Sequence, residues 1–178
     1  LDTEPNNEQI SILEMGFGSG LNAILTFLTS QEINTKISYT GIEAFPLSDS
    51  ELKELDYGIF LNLDNQTIAG IYDAPWNKEE VINQNFLLHK IQSTFQEVLF
   101  SSEFNIIYFD AFGPRVQPEL WTEDIFIKMF RALKPGGILT TYCSKGDVRR
   151  TMIKVGFNVE KIPGPPGKRE MLRAIKPC

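Results

Sequence analysis

The stretch Ile10-Ser-Ile-Leu-Glu14-Met-Gly16-Phe-Gly18-Ser-Gly20-Leu-Asn22 decides how the chain is read. Ile10 to Glu14 is a short apolar strand, and glycines follow at every second position. Leu21-Asn-Ala-Ile-Leu-Thr-Phe-Leu28 then reads as a helix. A strand that delivers glycines into a helix N-terminus leaves backbone amides bare at the crevice where open sheets bind ligands. A dinucleotide loop wants G-x-G-x-x-G, whereas the sixth position here is Leu21 and the third glycine falls one place early.

G-x-G-x-G preceded two residues earlier by a carboxylate, Glu14, is instead the loop associated with S-adenosylmethionine (SAM). That ligand carries an amino acid, a sulfonium and an adenosine, and no pyrophosphate. An acid at the strand end can meet its ammonium or order the loop. Glu43, 23 residues beyond Gly20 at the end of the next strand, sits where a carboxylate would accept both ribose hydroxyls. The plain alternatives are a tight turn for the glycines and an exposed strand-end acid for Glu43. The pair at this spacing favours the cofactor.

Outward from this loop, strands alternate with helices. Strands are expected at Lys36–Glu43, Asn85–Ile91, Phe104–Asp110 and Ile138–Cys143, with a final antiparallel pair, Phe157–Ile162 and Met171–Ile175. Helices are expected from Asp49 to Tyr57, Thr94 to Leu99, Thr122 to Leu133 (closed by Lys134-Pro-Gly-Gly137) and Asp147 to Val155 (closed by Gly156). Residues 61–84 read as loop with a short helix at Lys78–Asn83. The pattern predicts an α/β fold, Rossmann-like, with a mostly parallel sheet and an antiparallel C-terminal strand, as one domain over residues 1–178.

The 178 residues carry 42% apolar and 22% charged side chains, enough for a single core without disulfides. No run of about 18 apolar residues is present to cross a membrane, and Leu1-Asp-Thr-Glu-Pro5 resembles no signal peptide. The missing initiator Met suggests a trimmed chain. Two cysteines make no disulfide framework, and a cytoplasmic location is expected. One histidine, His89, without Cys or His pairs argues against a metal site. Asn65-Gln66-Thr67 is a chance match to a glycosylation pattern. The net charge of −6 hides an asymmetry: residues 1–133 balance at −13 and residues 134–178 at +7. A basic C-terminal quarter on an acidic body is either a solvated face or a one-sided patch of positive potential.

A second constellation follows the apolar strand at 104–110. Asp110 of Asp110-Ala-Phe112-Gly-Pro114 projects from the carboxyl edge of a central strand, where it could hold a substrate amine toward a methyl group. Gly113-Pro114 stiffens the turn, and Phe112 could stack on a flat substrate. Against these stand a turn cap for Asp110 and simple burial for Phe112 and Trp121. Lys145, Arg149 and Arg150, then Lys168 and Arg169, flank turns beside the last strands and could hold phosphates, or merely face solvent.

Six segments together resemble one family. Glu14-Met-Gly-Phe-Gly-Ser-Gly-Leu-Asn22 is similar to the E-x-G-F-G-x-G-L-N signature of the methyltransferase domain of the bacterial bifunctional tRNA wobble-uridine modification protein. Glu43-Ala-Phe-Pro-Leu47 resembles its E-x-F-P-L, Asp110-Ala-Phe-Gly-Pro114 its D-x-F-x-P, and Gln117-Pro-Glu-Leu-Trp-Thr122 its N-P-x-M-W-T. Ser144-Lys-Gly-Asp-Val-Arg-Arg150 and Gly167-Lys-Arg-Glu-Met-Leu172 resemble its closing segments.

The resemblance spans residues 12–176 and matches poorly over 61–84. It implies a class I SAM-dependent N-methyltransferase that converts 5-aminomethyl-2-thiouridine at the tRNA wobble position to 5-methylaminomethyl-2-thiouridine. Carried over, Glu14, Gly16, Phe17, Gly18, Gly20 and Asn22 surround the aminocarboxylate end of SAM, and Glu43 the ribose. Gln92 and Ser93 stand where the family carries a Gly-Asp pair near the adenine. Asp110, with Phe112, lies between the methyl and the substrate amine. Pro114, Trp121 and the five basic residues face the tRNA anticodon stem-loop. The family's fused oxidoreductase domain has no counterpart before Cys178, so a separate enzyme is expected to supply the aminomethyl substrate. A segment before the first strand is also expected to be missing.

Rival readings share parts of this. A methyltransferase of a small-molecule amine would use the same cofactor residues. An aminopropyl transferase should show extra acids in the glycine loop, and Gly16–Gly20 has none. A SAM- or tRNA-binding module without turnover is the non-enzyme alternative.

Overall fold

In the computed structural model, which describes residues 9–55, 57–61, 63 and 65–178, eight strands form one sheet in the order β3-β4-β2-β1-β5-β6-β8-β7. The strands are β1 (Ile10–Met15), β2 (Ile37–Glu43), β3 (Lys78–Asn83), β4 (Phe86–Gln92), β5 (Phe104–Phe109), β6 (Leu133–Thr141), β7 (Asn158–Pro163) and β8 (Glu170–Ile175). The helices are α1 (Leu21–Glu32), α2 (Asp49–Glu54), α3 (Tyr57–Leu61), α4 (Asn65–Asp73), α5 (Glu123–Ala132) and α6 (Gly146–Val155). Leu1–Pro5 and Asp56 lie outside the described residues.

The five strands from β4 to β6 are parallel, while β3 and β8 run against their neighbours. β1 pairs with β2 on one side and β5 on the other, so the chain reverses its direction of travel across the sheet at β1. Parallel strands are covered on both faces, and β1 and β5 accordingly lack strict polar alternation. One core cluster joins Met15, Phe109 and Phe126 with α5 and α6, and the other joins Ile24, Tyr39 and Ile71 with α1 and α4. Each fully buried side chain of this size contributes about 1.5–3 kcal/mol.

Four expectations need correction. Residues 61–84 are not mainly loop: they hold α4, and Lys78–Asn83 is strand β3 rather than a helix. Asn77 adopts a left-handed φ of 61°, donates its amide to the Lys90 carbonyl and accepts from Gln92 N, which turns the chain onto the free edge of β4. Thr94–Leu99 is a turn, not a helix. Lys128 Nζ donates to the Gln96 and Val98 carbonyls, tying that backbone to α5 before a helical ladder can form. The helix expected over Asp49–Tyr57 ends at Glu54, after a capping box of Ser48 and Glu51, and a separate α3 begins at Tyr57.

Lys134-Pro-Gly-Gly137 lies within β6 instead of closing a helix. Gly136 N donates to the Lys176 carbonyl and Lys176 N to the Gly137 carbonyl, so the tail beyond β8 takes up the irregular stretch. Thr122 does occupy the N-cap position of α5, but its hydroxyl makes no cap hydrogen bond.

Candidate active site

At the carboxyl ends of β1, β2 and β5 opens a cavity of about 680 Å³. The glycine loop is its floor. Gly16, Gly18 and Gly20 all have positive φ, at 97°, 50° and 74°. A β-carbon on Gly16 would lie 2.9 Å from the Asp110 carbonyl oxygen, whereas one on Gly18 would meet nothing within 4 Å. Gly16 is therefore required for close packing of β1 against β5, and Gly18 leaves its face open to a ligand. The amides of Gly16 and Phe17 both donate to the Ile42 carbonyl, anchoring the loop to β2.

Three carboxyl groups organise this floor. Glu43 accepts Gly18 N on one oxygen and Phe45 N on the other, both at 3.0 Å, so it fixes the loop while remaining on the cavity wall. Glu14 is 1% exposed. It accepts from Asn22 Nδ2 at 2.7 Å and from the Tyr39 hydroxyl at 2.8 Å. Burial raises its pKa to about 8, against the lowering effect of those two bonds, so Glu14 is mainly neutral at pH 7. Asn22 Nδ2 also donates to Asp110 Oδ2 at 3.0 Å, joining the β1 acid to the β5 acid through one amide.

Most residues expected around the cofactor meet here: Glu14, Gly16, Phe17, Gly18, Asn22 and Glu43 line the cavity together with Asp110. Gly20 does not; it caps α1 and packs against the Phe17 ring. Gln92 and Ser93 stand behind the wall as well. Ser93 N donates to the Glu43 carbonyl, and the lining is made by Thr94, Phe95 and Gln96 beyond them.

On the other flank, Phe112 lines the cavity and is 70% exposed. Pro114 lies in the turn outside the lining. Trp121 is buried, and its Nε1 donates to the Phe112 carbonyl at 2.7 Å, so it braces the Phe112 turn from within the core rather than facing the cavity.

Of the basic residues, none lines the cavity. Lys168 borders it, its ammonium 4.4 Å above the ring of the lining residue Tyr142. Lys145 and Arg169 are exposed, Arg149 is half-buried, and Arg150 is paired with Asp147. The sequence reading missed Tyr39, Phe45 and Tyr142. Phe45 and Tyr142 follow or close strands whose ends face the crevice, a usable signal, whereas Tyr39 has none.

The donor set suits a cation. Besides the neutral Glu14, the acids Glu43, Asp110 and Glu119 line the cavity with no Lys or Arg among the lining residues. A pyrophosphate would be repelled there, while a sulfonium and an ammonium would be held. Among the described residues no cluster of His, Cys, Asp and Glu is placed to hold a metal ion. No helix among them is long and apolar enough to cross a membrane.

Residues 66–177 match the family model of the S-adenosyl-L-methionine-dependent methyltransferases. The chain belongs to that family. This methyltransferase is 28% identical over 93% of its length to the tRNA 5-methylaminomethyl-2-thiouridine biosynthesis bifunctional protein MnmC of Hydrogenovibrio crunogenus. It is 30% identical over 94% of its length to the protein of the same name from Nitrosospira multiformis. It covers 26% and 28% of those two proteins, so it spans little more than a quarter of the curated relatives it matches.

Among solved structures, MNMC2 from Aquifex aeolicus superposes with a TM-score of 0.67 at 22% identity, over 93% of this chain and 53% of that one. The antibiotic-resistance methyltransferase Kmr gives 0.59 at 10% identity, over 97% of this chain and 89% of that one. The methyltransferase thus has the Rossmann-like class I fold and uses SAM.

Proposed function

We propose that this chain is a tRNA methyltransferase of the cytoplasm, one domain over residues 1–178, that methylates the amine of 5-aminomethyl-2-thiouridine at the wobble position. The observation that carries the reading is a junction of opposite charges. An acid-lined cavity for a cationic cofactor meets, at Tyr142, a rim bearing Lys168 and continuing into the basic C-terminal quarter. A small-molecule amine would need the acids alone, whereas an RNA needs a cationic surface outside them. The relatives' name, which places them in tRNA 5-methylaminomethyl-2-thiouridine biosynthesis, supports the product of this reaction. The two free cysteines fit a reducing compartment.

SAM, when bound, supplies a methyl group already activated on a cationic sulfur. The protein's task is then alignment, which is worth ~7 kcal/mol or more. The open backbone face at Gly18, with the Asn22 side chain, would hold the aminocarboxylate, and Glu43 the ribose. Asp110, steadied by Asn22, orients the neutral amine and stabilises the positive charge that forms on nitrogen. The surplus proton leaves to water or through the Asp110 carboxylate. A wobble base must be unstacked to enter, and Phe112 offers it a face. Lys145, Arg149, Lys168 and Arg169 hold phosphates of the anticodon stem-loop.

The test is transfer of labelled methyl from SAM to tRNA of cells lacking the final wobble methylation, followed by digestion to nucleosides. Label in 5-methylaminomethyl-2-thiouridine is the expected result. SAM binding without label in RNA would move the substrate to a small molecule.

A further inference from the structure

Two exposed aromatic rings stand at one opening. Among the described residues the exposed large apolar side chains include two aromatics, Phe45 at 81% and Phe112 at 70%, and both line the cavity. Both are anchored by their backbones. Phe45 N donates to Glu43 Oε1, and the Phe112 carbonyl accepts Trp121 Nε1 from the core. Phe45 follows β2 and Phe112 follows β5, the two strands that flank β1. Their strand ends are therefore two inter-strand steps apart, roughly 10 Å, with the glycine loop between them.

We propose that Phe45 is a second base-binding residue, forming with Phe112 an aromatic pair at the mouth that grips the unstacked nucleobase of an RNA substrate. This assignment rests on the tRNA reading given above. An exposed aromatic ring on a tethered backbone loses little freedom on binding, and it removes apolar surface from water only when a flat partner covers it. The cofactor's own base does not require Phe45, because the deeper wall already presents Ala44 and the buried Phe95. Glu43 and Asp110 precede the rings by two residues at the strand ends, so a base held between the rings would carry its 5-aminomethyl arm toward Asp110. Glu43 couples the two ligands: the carboxylate that positions Gly18 on the cofactor side positions Phe45 on the substrate side.

The experiment compares wild type with Phe45→Ala, Phe45→Leu and Phe45→Tyr. It measures SAM affinity by calorimetry, and kcat and KM for an anticodon stem-loop bearing 5-aminomethyl-2-thiouridine. Phe45→Ala should raise KM for the RNA roughly tenfold or more while SAM affinity stays within about twofold. Phe45→Leu should behave like the alanine variant, and Phe45→Tyr should restore the wild-type KM, because a ring face and not mere bulk is needed. A loss of SAM affinity with KM unchanged would overturn the proposal and assign Phe45 to the cofactor. No change in either, or full function in Phe45→Leu, would also overturn it. If wild type binds SAM but methylates no RNA, the tRNA reading itself fails and the assignment falls with it, a result distinct from all the others.

Discussion

The glycine loop after β1 and the excursion from Tyr57 to Asn83 both lean on Phe17, yet they are built by opposite means. The loop is specified by its own backbone: three positive φ values, two amides on one carbonyl, and a space at Gly16 that admits no β-carbon. The excursion is held by side chains. Ile71 is fully buried, Trp76 meets Phe17 edge to face at 5.8 Å, and Lys90 from β4 donates to the Ile71 and Tyr72 carbonyls at the end of α4. Lys90 is itself 3% exposed, and burial lowers its pKa. Backbone-specified structure demands particular residues at particular places, whereas packing accepts many apolar residues in many orders.

The first way to test that contrast is to remove chemistry from the loop side alone. Asp110→Ala should lower methyl transfer by about a hundredfold or more, with SAM affinity and melting temperature near wild type. Full turnover would show that alignment needs no carboxylate on β5.

Gly16→Ala should be strongly destabilising, because an added β-carbon would meet the Asp110 carbonyl at 2.9 Å on a backbone of positive φ. It costs on the order of 1–3 kcal/mol in strain and pushes β1 from β5, so SAM titration should show lost binding alongside a lower melting temperature. The same substitution at Gly70, in α4 with its nearest outside atom at 3.7 Å, should be tolerated. Equal effects at the two sites would break the comparison.

Lys90→Met keeps the bulk but strands two carbonyls, for about 1–3 kcal/mol. Melting should fall by roughly 2–4 °C per kcal/mol. Hydrogen exchange should rise in α4 and β3 before it rises in β1. Uniform exchange across the sheet would mean that the excursion is not a separate unit.

Glu14 gives a pH signature. Its folded pKa of about 8 lies above the unfolded value of 4.5, so the folded state binds the proton more tightly. Its contribution is fully present below pH 4.5 and is lost as pH rises to about 8, at up to about 1.4 kcal/mol per pH unit. Glu14→Gln, neutral at every pH, should flatten that part of the stability profile and be the more stable protein at pH 9. An unchanged slope in denaturant melts from pH 5 to 8 would refute the buried neutral acid.

The smallest effect belongs to the rim. Lys168→Ala with Arg169→Ala should weaken anticodon stem-loop binding a few-fold and reduce the salt slope by roughly 1–2. Unchanged affinity would leave the basic quarter as a solvated surface.

What could be read directly from the chain follows the same division. Gly16, Gly18 and Gly20 behind Glu14, Glu43 at the next strand end, and Asp110 after an apolar strand were legible because local backbone geometry and strand-end position dictate them. The parallel sheet and its antiparallel ending were legible because alternating strands and helices leave few ways to close. The excursion was not, since nothing local marks Lys78–Asn83 as a strand until Asn77 turns it onto the edge of β4. Nor was the turn at Thr94, which Lys128 ties to a helix some thirty residues away.

The sequence by itself determined the glycine loop, the mostly parallel character of the sheet and the acids at its edge, because each rests on a few neighbouring residues. Only the tertiary structure decided that Asn22 links Glu14 to Asp110, that Trp121 serves the core and not the cavity, and that Phe45 shares an opening with Phe112. Those depend on which strand ends lie side by side, a long-range choice made by the whole core at once.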